Sequence, residues 1–409
     1  MLRFFYQYLY GAIDMKFLFV YTQKGIFDIA FALKSMGHSL VVMDDTPVVA
    51  DTTKPQPYLC AVRERLLSEP FDYVITYLYV PQLSDLCEEL QVLYISWIYD
   101  SPLLSVFHRS IYNSCNRIFI FDECFANRLI QIGIDHVYHL PLAANVERLD
   151  RLEITEKDRL QFTSEISFVG TLYEKNMYNE FHHVLPDEIL IPTNRLLLNA
   201  LCNWHEPRQW PLLPDGILQE LQKLGAESDQ LDEFDFPEEY YWGIQLLYRK
   251  LAEMERITAL DTLAETHPVD LYTRSFSDQI GILRVHEPVD YYTQLGKIYK
   301  LSKINLNLTL PTIESGVPQR IYDILGAGGF CLTNAQPELS SFFEIGRDLV
   351  VFHDLGELKQ LADYYLTHDE ERLAIARHGY ETVSNYYSYE KILQQVIYIC
   401  EESKKEGIQ

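Results

Sequence analysis

The stretch LNLTLPTIESGVPQRIYDILGAGGFCLTN, residues 306–334, carries a strand, a helix and a second strand in one passage. The apolar run 304–308 reads as a buried strand, and a loop through Gly316 follows. Pro318 stands where the first helical position is expected, its fixed φ suiting a helix start. FCLT at 330–333 then opens another strand. A helix between two short apolar runs is the crossover of a parallel sheet. The glycines of GAGGF (326–330) follow the helix instead of preceding it, the reverse of the order a dinucleotide fingerprint needs. Gly328 and Gly329 therefore read as a helix C-cap and turn, and the chain has no GxxxxGK[ST] phosphate loop.

The same alternation extends in both directions. Strands are expected at 16–21, 40–43, 73–76, 92–98, 117–121 and 136–140, and again at 166–169, 269–272, 283–286, 304–308, 330–333 and 349–352. In ALKSMGHSLVVMD (32–44), Gly37 ends a helix and a strand follows at once. The fold class is thus α/β, with two Rossmann-like open parallel-sheet domains facing an interdomain cleft. Residues 1–14 read as an N-terminal extension, 15–145 as the first domain, 146–164 as a polar linker, 165–385 as the second domain and 386–409 as a C-terminal helix. A Leu-rich segment, about 185–262, is expected to be a helical insertion, because so long a structureless loop does not suit a compact domain. The helix KQLADYYLTHDEERLAIARHG is expected to close on Gly379.

With 34 Lys+Arg against 59 Asp+Glu, the 409-residue chain carries a formal charge of -25, which repels polyanions and argues against nucleic acid as a partner. No apolar run is long enough to span a membrane, and no signal-peptide pattern opens the chain. Seven scattered cysteines without CxxC suit a reducing, cytoplasmic setting. The histidines lack metal-ligand spacing and no strand-end loop carries DxD, so neither metal nor cofactor is expected. A phosphate-bearing ligand would need a few local donors working against the global field.

Those donors are expected where strands end. The helix start at residues 316–319 (Gly316, Val317, Pro318, Gln319) leaves backbone N–H groups around Gln319 and Arg320 free for an anion, and Arg320 adds a bidentate fork. Asp323 lies ~5 Å further along the same face, the separation between a diphosphate and the ribose diol of one nucleotide. An Arg320–Asp323 surface ion pair, worth ~0.2–0.5 kcal/mol, fits the same spacing equally well. In FVGTLYEKN (168–176), Gly170 lets backbone approach a phosphate or sugar, with Thr171 and Lys175 as donors, although an ordinary turn with a solvated lysine also suits it. Asp100, after the strand ISWIY, is either a carboxylate facing the cleft or the N-cap of the next helix.

ISWIYDSPLL and IFIFDECFANRLIQIGIDHVYHLPLAAN in the first half, with ISFVGTLYEKN, INLNLT, GVPQRIYDILGAGGFCLTN and YYLTHDEERLAIARHGYETV in the second, resemble the CgeB-like (spore-maturation) glycosyltransferases. The resemblance implies the glycosyltransferase B (GT-B) fold and a metal-independent, retaining transfer. The second domain would hold a nucleoside-diphosphate sugar as co-substrate, and the first would face an unknown glycan, protein or small-molecule acceptor. Retaining relatives carry two glutamates eight positions apart. The second matches Asp323, and the first falls at Ser315, beside Glu314, so these residues are expected to bind the donor. A non-catalytic nucleotide-sugar-binding or coat-assembly protein on the same fold is the alternative.

Overall fold

The structure is a computed structural model that describes residues 14–20, 27–43, 57–204, 213–214, 216–223, 235–275 and 282–405. The expected N-terminal extension up to residue 13, parts of the helical insertion, and the last four residues lie outside the described residues.

Among the described residues, twelve strands form two sheets. The first contains β1 (Lys16–Val20), β2 (Ser39–Met43), β3 (Tyr73–Thr76), β4 (Leu93–Ile98), β5 (Asn116–Ile120) and β6 (Val137–His139) in the order β2-β1-β3-β4-β5-β6. The second contains β7 (Ser164–Val169), β8 (Val269–Tyr272), β9 (Arg284–His286), β10 (Ser302–Asn307), β11 (Cys331–Asn334) and β12 (Val350–Phe352) in the order β12-β11-β10-β7-β8-β9. Every neighbouring pair is parallel. Parallel strands covered on both faces must be apolar throughout, which is why YVIT and NRIFI are buried at every position. The strand order reverses between β1 and β3 in the first sheet and between β7 and β10 in the second. Ligands of such sheets bind in the crevice beyond the strand ends at these two points.

Between the sheets the core is continuous. Phe19, Tyr77, Trp97 and Phe121 of the first domain share one apolar cluster with Ile321, Tyr322 and Leu325 of the second. The C-terminal helix Tyr389–Lys405 returns to the first domain, where Tyr389 meets Trp97 at 5.6 Å and Arg117 Nε donates to Ser403 Oγ at 2.7 Å. It is thus a strap that fixes one domain against the other, which its amphipathic pattern alone does not disclose.

Two helix limits differ from expectation. Pro318 is the N-cap, with ψ at 154°, and the helix runs from Gln319 to Gly326. The helix expected to stop at Gly379 instead breaks at His368 and then continues through Asp369–Tyr386. A Cβ at Gly379 would lie 2.3 Å from Asp348 O, so this glycine permits a helix to cross a loop closely and is no cap. The insertion contributes helices Asp187–Cys202, Ile217–Lys223, Glu238–Trp242 and Arg249–Ala264, the last of them buried nearly all round. Among the described residues no helix is long and apolar enough to cross a membrane.

Candidate functional site

At the switch point of the second sheet, beyond the ends of β7 and β10, lie two guanidinium groups. Arg320, in the first turn of the Gln319–Gly326 helix, lies over the Phe168 ring at 4.8 Å, and its Nη1 reaches Asn307 Oδ1 at 3.4 Å. Its Nη2 lies 2.7 Å from where a Cβ on residue 170 would stand, so a side chain there would displace the guanidinium. Arg256 lies over the same ring at 5.3 Å and over Tyr173 at 4.8 Å. It donates to Thr171 O at 2.5 Å and Leu308 O at 3.2 Å, tying together the two loops that leave the sheet at the switch point. Arg256 is 4% exposed, and burial together with the neighbouring Arg320 holds its pKa below the usual arginine range. Among the described residues neither guanidinium forms an ion pair with a carboxylate. Two cations side by side without an anion cost free energy that an incoming anion would recover.

The surroundings suit an anion. No side chain caps the Gln319 helix start. Thr171 and Lys175 are exposed on the loop after β7, where Tyr173 takes the left-handed conformation, φ 63°, with its ring against Arg256. The Gly170 amide is not available, because it donates to Tyr272 O at 3.0 Å.

The other residues expected here are distributed differently. Val317 is 1% exposed and belongs to the apolar core, so its side chain lines no site. Glu314, Ser315 and Gly316 face the first domain. Arg128 grips both oxygens of Glu314, and the Asp122 carboxylate accepts from Glu314 N at 2.9 Å, Ser315 N at 3.3 Å and Ser315 Oγ at 2.8 Å. Gly316 passes so near Phe121 and Asp122 that a Cβ would lie 2.8–2.9 Å from them. Burial pushes Glu314 up to about 7, against the pull of Arg128. Nearby, Glu338 accepts from Glu123 N at 2.9 Å and pairs with His139 at 2.7 Å. The carboxylate expected to meet a donor sugar is thus part of an interdomain contact, which proximity in sequence to the helix start does not reveal.

The Arg320–Asp323 ion pair does not form. Arg320 points toward β10, while Asp323 accepts from Gln319 Nε2 at 3.0 Å and Tyr291 OH at 3.2 Å. Gln319 also donates to Ala143 O at 2.7 Å, across the domain boundary. Tyr291, on the π-helical turn Tyr291–Leu295, bridges to Asp28 at 3.3 Å, and Asp28 in turn holds Arg148 Nε at 3.0 Å and Asn145 Nδ2 at 2.7 Å. Asp28 begins the helix after β1, so this network joins the two switch points. Burial raises Asp323 to about 7, with Gln319 and Arg148 opposing the rise and Asp28 adding to it.

Asp323 gives a pH prediction with a definite sign. Its folded pKa exceeds the unfolded value of about 3.9, so the folded state holds the proton longer. The associated stability is fully present below about pH 4 and is lost as pH rises through about 7. Asp323→Asn should therefore remove about 2–3 kcal/mol of the decline in stability between pH 5 and 7.5, read from urea midpoints of both proteins. Parallel pH curves would refute the raised carboxyl.

Asp100 is not a helix cap, since the next helical turn begins at Leu104 with Leu103 as its cap. The Asp100 side chain is exposed at the end of β4 yet has protein around it, and this burial raises its pKa. The adjacent Ser101 Oγ donates to Asp122 at 2.8 Å, which puts Asp100 beside the interdomain contact. Among the described residues no three His, Cys, Asp or Glu side chains gather as a metal site.

Residues 249–398, which include Arg256, Arg320 and Asp323, match the family model described as glycosyl transferase-like. No curated protein matches the chain. Among solved structures, the chain is similar to a glycosyltransferase from Rickettsia africae ESF-5, at 11% identity over 95% of this chain and 98% of that one, with a TM-score of 0.52. It is similar to Anabaena Alr3699/HepE, solved in complex with UDP and glucose, at 10% identity over 95% and 100%, TM-score 0.50. It also resembles a sucrose-phosphate synthase (tll1590) from Thermosynechococcus elongatus, at 8% identity over 96% and 100%, TM-score 0.50. At such identities the likeness is one of fold, and that fold is the two-domain GT-B architecture.

Proposed function

We propose that the chain is a glycosyltransferase that moves a hexose-type sugar from a nucleoside-diphosphate donor to an acceptor. The observation that carries this reading is the pair of guanidiniums, Arg320 and Arg256, held without a carboxylate at the second switch point of a chain whose net charge is -25. A dianionic leaving group is the ligand such a pair suits. Arg320 and the open helix start would neutralise the charge developing on the departing diphosphate, with Lys175 and Thr171 at its edge, and positioning by the closed cleft would supply the rest of the acceleration. The UDP bound by HepE makes UDP-sugars the first donors to consider.

Asp323 would orient the ribose, its hydroxyls replacing the Tyr291 hydroxyl on the carboxylate, and Asp100 would face the acceptor. Transfer is proposed to be retaining and metal-independent, in the cytoplasm, with a CgeB-like role in surface glycosylation. The alternative, a nucleotide-sugar-binding protein without turnover, is favoured by one observation: Glu314 is held by Arg128 and is not open to a donor sugar. Incubation with UDP-, GDP- and dTDP-sugars and a panel of acceptors, with EDTA present, separates the two. Transfer supports the enzyme, binding without product supports the alternative, and absence of nucleotide binding defeats both.

A further inference from the structure

Beside the Asp28–Tyr291–Asp323 network lies a cleft of about 470 Å³, within the range of sites that hold compact organic molecules. Phe27 and Phe31, on the helix start that follows β1, form one wall, Tyr292 of the second domain forms another, and Leu152 of the linker closes the side. It therefore borders the first sheet's switch point, beside the helix start that follows β1.

Most of the buried polar groups of this cleft are already engaged. The Asp28 carboxylate accepts from Asn145 Nδ2, Arg148 Nε, Arg148 Nη2 at 3.2 Å and Tyr291 OH. Asn145 Oδ1 accepts from Arg148 N at 3.0 Å, and Arg151 pairs with Glu147. Among the buried groups one donor remains, Arg148 Nη1, without a hydrogen-bond partner among the described residues, while the N–H groups of Arg151 at the rim face solvent. A free sugar entering here would exchange the hydration of several hydroxyls for a single buried donor, leaving the other hydroxyls unsatisfied against apolar walls. A flat apolar ring loses nothing comparable and packs against the aromatic walls.

We infer that this cleft is the acceptor subsite and that it takes a planar, mostly apolar ring bearing one hydrogen-bond-accepting oxygen, directed at Arg148 Nη1. The assignment of the ring as acceptor rests on the transferase reading above, while the binding chemistry of the cleft stands apart from it.

The test uses the full chain and 4-methylumbelliferone, whose fluorescence reports entry into an apolar site, titrated with and without saturating UDP, and with glucose as competitor. Saturable binding that neither UDP nor glucose displaces is expected. Phe31→Ala and, separately, Leu152→Ala should each weaken it at least tenfold, with Tyr292→Ala as replacement for either variant that is unfolded by circular dichroism. Absence of binding up to the probe's solubility, a change below threefold in the folded variants, or displacement by glucose or one-for-one by UDP would overturn the assignment. A chain that binds the probe but no UDP would keep the subsite and lose the transferase reading. One that binds UDP and not the probe would do the reverse.

Discussion

Arg320→Ala is expected to weaken UDP binding by about 1.5–3 kcal/mol, roughly 10- to 150-fold, the range for hydrogen bonds to a charged group. The free protein should lose little, because Arg320 there has a long hydrogen bond to Asn307 and the face of Phe168 but no carboxylate, and stands against another cation, Arg256. Removing one of two neighbouring like charges relieves repulsion, so the thermal midpoint should hold or rise while affinity falls. Opposite movement of these two readouts is what separates a ligand-binding arginine from a structural one. A variant with unchanged UDP affinity and lower stability would place Arg320 in the scaffold. Gly170→Ala should act in the same direction, since its Cβ would push the Arg320 guanidinium away.

The second large effect is expected at Asp122, which is 0% exposed and anchors the interdomain contact. Its carboxylate accepts from Ser101 Oγ, Glu314 N, Ser315 N and Ser315 Oγ, and caps the helix Glu123–Gln131 through Phe125 N at 3.4 Å. Asp122→Ala would leave these buried donors without an acceptor and remove a helix cap, a loss of about 3–5 kcal/mol. Four of the five donors lie on segments outside that helix, so the loss should fall mainly on tertiary structure. Urea unfolding should show the loss, and small-angle scattering should show a larger radius of gyration as the domains part. A loss below about 1 kcal/mol with an unchanged radius would mean that the apolar interdomain core alone holds the domains together.

What was legible in the sequence follows from the range of the forces involved. Buried parallel strands announce themselves locally as apolar runs between helices, so all twelve strands could be located within a few residues. The Gln319 helix start, too, is written in a strand, a loop and a proline. Residues set by distant partners are not legible in this way. Arg256 is 64 positions from Arg320 in the chain and sits in a helix whose charged residues read as a solvated face, yet nearly every side of that helix is buried. Glu314 and Ser315 stand near the helix start in sequence, but Asp122 and Arg128, almost two hundred positions away, decide where they point. The same holds for Asp323: its partner Tyr291 comes from a π-helical turn that no periodicity of 3.6 would suggest. Gly379 shows the converse, a residue whose usual local meaning as a helix stop is overridden by a tertiary close approach.

A crystal structure of the chain with UDP tests the central claim most directly. The account predicts the diphosphate beyond the ends of β7 and β10, with phosphate oxygens about 3 Å from the Arg320 guanidinium and from the amides that open its helix. UDP seated away from Arg320, for instance at Arg148 in the aromatic cleft, would contradict it.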